Sequence, residues 1–237
     1  MSGHSKWATT KRRKAAVDAK RGKLFSILSK ELSIAAREGG GDPEFNPRLR
    51  ACIGKAKAAN MPAENVSKAI RKGTGDIPGI VIEELIYEGY GPGGIGIIVE
   101  ATTDNKNRTI SEIRSTFSKH GGNLASSGAL AFNFQRMGQF IIGKAAATEE
   151  QLLEIALANG ANDVLTEEDS FELLTPIGAF YTVTQALEKA NISCESAQLS
   201  HIPLTTVELD EATLTKAMTL LEKMEDLEDV TGVYANL

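Results

Sequence analysis

Residues that carry reaction chemistry are scarce in this chain of 237 residues: two cysteines, three histidines and one tryptophan. Cys52 and Cys194 stand apart with no CxxC pair, which excludes a disulfide framework and the usual zinc spacings and reads as a reduced, intracellular protein. His4, His120 and His201 are far apart, and neither cysteine has a histidine close in sequence. No nucleophile–base pair and no metal-ligand spacing is therefore visible, and no cofactor is expected. No apolar run approaches the ~18 residues of a membrane-spanning helix, and no signal-peptide pattern opens the chain. The start, from Lys6 to Lys23, is opposed only by Asp18. An organelle-targeting segment is the competing reading of that stretch, weakened by poor amphipathicity before Leu24.

What the chain does have is a lopsided charge. Residues 1–75 hold 17 Lys and Arg against 6 Asp and Glu, whereas residues 76–237 hold 9 against 25, so the net charge of −5 hides a basic head and an acidic body. A segment so basic repels itself unless a polyanion neutralises it, and nucleic acid is the commonest polyanion in a cell. The expectation is a head that docks and a body that projects; the alternative is that the two halves attract each other within one fold.

Hydrophobic spacing divides the chain into parts. Residues 1–22 are too charged and too poor in large apolar side chains to pack, and read as a flexible basic arm. Trp7, inside the arm, is either a core anchor or a side chain that stacks on a base. Residues 23–78 read as a basic three-helix bundle. Leu24, Ile27, Leu28, Leu32 and Ala35 mark the first helix, stopped by Gly39-Gly40-Gly41. Asn46-Pro47 caps the second, over 47–59. The third follows Pro62, with Val66 and Ile70 inward, Arg71 and Lys72 in the last turn and Gly73 beyond its end. A domain of two segments, 79–135 and 204–237, begins with strands Ile80–Tyr87 and Ile95–Ala101 around a glycine-rich hairpin. It continues with a helix through Phe117 to His120 and a short strand pair around Asn123 to Phe134. Residues 136–203 read β-α-β-β-α-β, a ferredoxin-like unit inserted into it. Strand 205–208, a helix from Asp210 and strand 230–236 cannot enclose a core alone and are expected to return to the first sheet. The fold class is α+β: a basic bundle and two α/β domains with mixed or antiparallel sheets.

Gly89, Gly91 and Gly94 match GxGxxG, but a strand rather than a helix follows, so no helix N-terminus is present to hold a pyrophosphate. A hairpin loop is the better reading, and a nucleotide-dependent enzyme is a remote alternative. The paired acids, such as Glu149-Glu150 and Asp210-Glu211, sit at helix starts, where the dipole favours them. In the loop from Thr102 to Thr109, Lys106 and Arg108 stand out within the acidic half. They could hold a phosphate, with Asn107 as the plain helix cap in the competing reading.

A set of ordered motifs runs the length of the chain. They include Gly3-His4-Ser5-Lys6-Trp7, Asp18-Ala19-Lys20-Arg21-Gly22-Lys23, Asn46-Pro47-Arg48-Leu49-Arg50, Lys72-Gly73-Thr74-Gly75, Tyr87-Glu88-Gly89-Tyr90-Gly91-Pro92-Gly93-Gly94 and Thr103-Asp104-Asn105-Lys106-Asn107-Arg108-Thr109. In these the chain resembles the YebC family, which also includes the mitochondrial translational activator of cytochrome oxidase subunit one. Thr9-Thr10 and Ser126-Ser127 depart from the family's common residues without removing a basic contact. The resemblance implies a three-domain cytoplasmic protein labelled a DNA-binding transcriptional regulator. Other members act on translation, including relief of ribosomes stalled at proline-rich stretches, and no catalytic residues carry over. The expected nucleic-acid contacts are His4, Lys6, Trp7, Lys11, Arg12, Arg13, Lys14, Lys20, Arg21, Lys23, Arg48, Arg50, Lys106 and Arg108. The expected partners are DNA, or ribosomal RNA and the ribosome, with protein partners at the acidic domains and no membrane. A monomer is expected, with a dimer the alternative.

Overall fold

The computed structural model describes residues 21–77 and 81–237, with the backbone alone at Arg21 and Gly22. The chain divides into two units, one formed by residues up to Leu130 together with Thr205–Leu237, the other by Ala131–Leu204. The described residues form seven α-helices and two antiparallel four-stranded sheets, an α+β protein.

In the first unit, helices α1 (Arg21–Gly39), α2 (Pro47–Ala58) and α3 (Ala63–Thr74) bury Leu28, Leu32, Ala35, Leu49, Cys52, Ala56 and Ala69 as one cluster. The α2 start follows the sequence rule: Pro47 sits in the first turn, and the Asn46 carboxamide accepts from Leu49 N at 3.0 Å while donating to Ala35 O at 2.8 Å. The α3 end does not. Gly73 lies inside the helix, and Gly75, in the left-handed region at φ 86°, terminates it. Gly73 is there for contact, since a Cβ on it would lie 2.2 Å from Ser33 O of α1.

The unit's sheet has the order β3-β1-β2-β8, from β1 (Glu83–Tyr90), β2 (Gly96–Thr103), β3 (Asn123–Leu124) and β8 (Val230–Ala235). The returning C-terminal segment does complete the sheet: Ile97 to Ala101 pair with Ala235 to Val230. β2 is one of the two inner strands and is buried almost throughout, hence its continuous apolar run. Ile97, Val99 and Ala101 pack with Ile113 and Phe117 of α4 (Lys106–Lys119) and with Leu220, Leu221 and Met224 of α7 (Glu211–Glu225).

Several boundaries differ from expectation. β1 starts at Glu83, opposite Thr103, because its length is set by pairing with β2 rather than by the apolar run before it; it ends at Tyr90, with Gly89 inside the ladder. The expected strand pair after Gly122 reduces to β3. The following loop is held instead by the Glu88 carboxylate, which accepts from Gly128 N at 2.7 Å and Leu130 N at 2.5 Å, so its backbone donors need no ladder. Residues 205–208 form no strand; Val207 N donates to Asn236 O at 2.8 Å, and the Asn236 Nδ2 donates to Thr205 O at 3.3 Å.

The second unit has β4 (Phe134–Gly143), α5 (Glu149–Asn159), β5 (Asp163–Thr166), β6 (Ser170–Thr175), α6 (Phe180–Lys189) and β7 (Ser196–Pro203), with sheet order β5-β6-β4-β7. That is the ferredoxin-like β-α-β-β-α-β arrangement. Phe140, Ile142, Leu152, Phe171, Leu173, Val183 and Leu187 form its core. α5 starts with a capping box between Thr148 and Gln151. α6 is preceded by a 3-10 turn, Ile177–Ala179, so the helix proper begins later than its apolar spacing suggests.

Candidate nucleic-acid interface

The glycine-rich segment is a hairpin. Gly91 N donates to Ile95 O at 2.9 Å, and Pro92–Gly94 make a single 3-10 turn. Gly93 combines φ 76° with a close approach to Leu209, whose Cδ2 would lie 2.3 Å from an added Cβ. The segment packs against α7's entry and presents no helix N-terminus. Burial pushes the Cys52 thiol up, with Glu31 adding to it, and burial likewise raises Cys194, which suits neither thiol to nucleophilic attack.

The expected nucleic-acid contacts fall into two groups. His4, Lys6, Trp7, Lys11, Arg12, Arg13, Lys14 and Lys20 lie outside the described residues, and Arg21 opens α1. The other five are held by the protein itself. Lys23 Nζ donates to Glu225 O. Arg48 bridges Glu38 at 2.5 Å and Glu84 at 2.6 Å; burial opposes its charge, but the carboxylate of Glu84 and then that of Glu38 outweigh it and raise the guanidinium above its ordinary value. Arg50 donates to Pro43 O and Glu44 O, both at 3.0 Å. Lys106 pairs with Glu83 at 2.5 Å.

Arg108 belongs to a tighter arrangement around Asp229, a carboxylate only 1% exposed. Its Oδ2 accepts from Arg108 Nη2 at 2.8 Å, Thr109 Oγ1 at 2.7 Å and Thr103 Oγ1 at 3.1 Å, and its Oδ1 accepts from Lys30 Nζ of α1 at 2.7 Å. Burial alone would raise this carboxyl. Hydrogen bonds from Lys30, Arg108 and Thr109, together with the charge of Lys30, prevail and lower it from 3.8 to about 2. Asn105, not Asn107, caps α4, accepting from Arg108 N at 3.1 Å; this turn aims Arg108 at Asp229 and Asp104 rather than outward.

Within the three-helix bundle, the basic side chains that make no ion pair or hydrogen bond among the described residues are Lys57 on α2 and Lys68, Arg71 and Lys72 on α3. On α3 they stand at i, i+3 and i+4, hence on one side of the helix. Sequence reasoning gave Arg71 and Lys72 only a helix-end role and did not single out Lys68, Lys30 or Asp229. The spacing of the α3 cations, with Glu64 the one acid on that helix, was the available signal.

Two family profiles match. One, described as "TACO1/YebC protein N-terminal domain", covers residues 5–76. The other, "TACO1/YebC second and third domain", covers residues 82–237. A relative from Persephonella marina named "Probable transcriptional regulatory protein" is 52% identical over 238 residues, spanning 100% of this chain and 95% of its own. A protein of the same name from Desulfosudis oleivorans is 50% identical over 236 residues, covering 100% and 96%. The crystal structure of a "Conserved Hypothetical Protein Aq1575 from Aquifex Aeolicus" superposes with a TM-score of 0.87 at 49% identity, covering 98% of this chain and 96% of that one.

Proposed function

The chain belongs to the TACO1/YebC family, and from that membership we propose that it is a non-enzymatic regulator of gene expression, acting in the cytoplasm, that docks on nucleic acid through its basic N-terminal region. The observation that carries this reading is the charge division, 17 basic against 6 acidic residues in the first 75 and the reverse beyond. The names of the relatives support a regulatory role. The uncommitted Lys57, Lys68, Arg71 and Lys72 support a docking face on α2 and α3, joined to the basic arm, in preference to Arg48, Arg50, Lys106 and Arg108, which a phosphate would first have to detach from their present acceptors. No helix among the described residues is long and apolar enough to cross a membrane.

Transcription on duplex DNA is the reading favoured by the relatives' names. Ribosomal RNA is the second reading, favoured by a basic arm without a helix-turn-helix signature, since docking on RNA can use an arm that orders on contact. Labelled protein bound to ribosomes and challenged with excess mixed-sequence duplex separates the two: retention makes it a translation factor, transfer restores the transcriptional reading. In either case, replacing Lys11, Arg12, Arg13 and Lys14 together by Ala lowers the slope of log affinity against log salt by about 3 to 4. An unchanged slope removes the arm as the docking element.

A further inference from the structure

A cleft of about 510 Å³ lies within the first unit between α1 and α3. One face of α1 supplies Ser26, Ser29, Lys30 and Ser33, and one face of α3 supplies Asn65, Lys68, Ala69 and Lys72. Both sets run i, i+3, i+4, i+7, so each helix turns a whole stripe toward the space. The two helices are pinned where Ser33 Oγ donates to Ala69 O at 2.8 Å and where Gly73 meets Ser33 O.

Four cations line the cleft, but they are not equivalent. Lys30 and Arg108 are committed to Asp229, at 2.7 and 2.8 Å. Lys68 and Lys72 are four residues apart on α3, face the same space and have no carboxylate partner among the described residues. Two ammonium groups so placed repel each other until an anion sits between them. Ser26 and Ser29 add hydroxyl donors, and Phe25 and Ile82 supply apolar wall for a flat ring. Two further carboxylates line the cleft from outside these helices, Asp104, which already accepts from Arg108 at 3.1 Å, and Glu228; they would repel a second anion, and Glu228 can accept from an exocyclic amine. One anionic group, one planar ring and N–H donors describe a nucleotide, and the cleft volume falls within the range of small-molecule sites.

We propose that this cleft binds a single nucleotide, with Lys68 and Lys72 holding its phosphate, Ser26 and Ser29 donating to the phosphate oxygens, and the base against Phe25 and Ile82. The nucleotide comes either free from solution or as one unit of a bound strand. Only the second source rests on the nucleic-acid reading above.

The test titrates the full chain with adenosine and guanosine monophosphate, with inorganic phosphate and with a short single-stranded oligonucleotide. Each titration is repeated on a Lys68→Gln/Lys72→Gln variant and on a Lys216→Gln control, an exposed α7 lysine outside both the cleft and the docking face, with a thermal melt to verify folding. The double variant weakens mononucleotide binding about tenfold or more while the control does not, as expected for the loss of two charge-assisted contacts. If mononucleotides fail to bind but the oligonucleotide is weakened by that variant, the site takes its nucleotide from a strand. Inorganic phosphate binding as tightly as the nucleotides overturns the assignment of a base subsite. If mononucleotides do not bind and the oligonucleotide binds the double variant normally, the cleft proposal is wrong. The nucleic-acid reading then still stands or falls on the arm variant.

Discussion

A buried carboxylate stays ionised only where donors answer its charge, and Asp229 has four side chains doing so: Lys30, Thr103, Arg108 and Thr109. Because folding lowers this carboxyl from 3.8 to about 2, the unfolded chain takes up the proton first as pH falls. The stabilisation, on the order of 2 kcal/mol, is therefore complete above about pH 4 and disappears as pH falls through about 2. Urea unfolding of the wild type and of Asp229→Asn should differ by about 2 to 4 kcal/mol at neutral pH, the cost of removing one partner from a buried ion pair. The difference should shrink steadily below pH 4; a gap independent of pH would mean that the charge of Asp229 contributes nothing. Exposed pairs such as Lys106–Glu83 are expected to matter far less, because solvent screens them and ordering two long side chains costs entropy.

At the scale of elements, two glycines with the same sequence appearance have opposite roles. Gly73 on α3 leaves no room for a Cβ, since the obstacle is the Ser33 backbone, whereas Gly54 on α2 has nothing within 4 Å of that position. Gly73→Ala should cost about 1 to 3 kcal/mol by forcing α1 and α3 apart. Gly54→Ala should instead stabilise by about 0.5 to 1 kcal/mol, through better helix propensity and a less flexible unfolded chain. Equilibrium urea curves on the two variants check both signs. The capped starts of α2 and α5 were legible because their determinants are local. Asn46 precedes Pro47, and Thr148 stands three residues before Gln151. The extents of β1 and β3 were less legible because strand length is set by the register of a distant partner and not by the strand's own residues.

For the whole molecule, charge is the variable that matters. Residues 131–204 hold 3 basic against 10 acidic residues, so the second unit should repel the polyanion that the basic region attracts. Joining Leu130 to Thr205 through a short Gly/Ser linker should tighten nucleic-acid binding at low ionic strength. The gain should fade as the Debye length drops to about 8 Å near physiological salt. A gain that persists unchanged at high salt would point to a contact and not to long-range repulsion.

The order of elements, the ferredoxin-like pattern, the return of the C-terminal strand and the basic head were all readable from the chain, because hydrophobic period, capping residues and charge counts are properties of neighbouring residues. Which cations are available to a ligand was not. Arg48, Arg50, Lys106 and Arg108 read as exposed basic residues, yet their partners lie up to 121 residues away, as between Arg108 and Asp229. Lys72 reads only as a helix-end cation and Lys68 does not stand out at all, although among the described residues they alone of the cleft's cations have no hydrogen-bond or ion-pair partner. Charge is written in the sequence; whether it is spent inside the fold or left for a partner depends on which acidic side chains the folded backbone brings within hydrogen-bond distance.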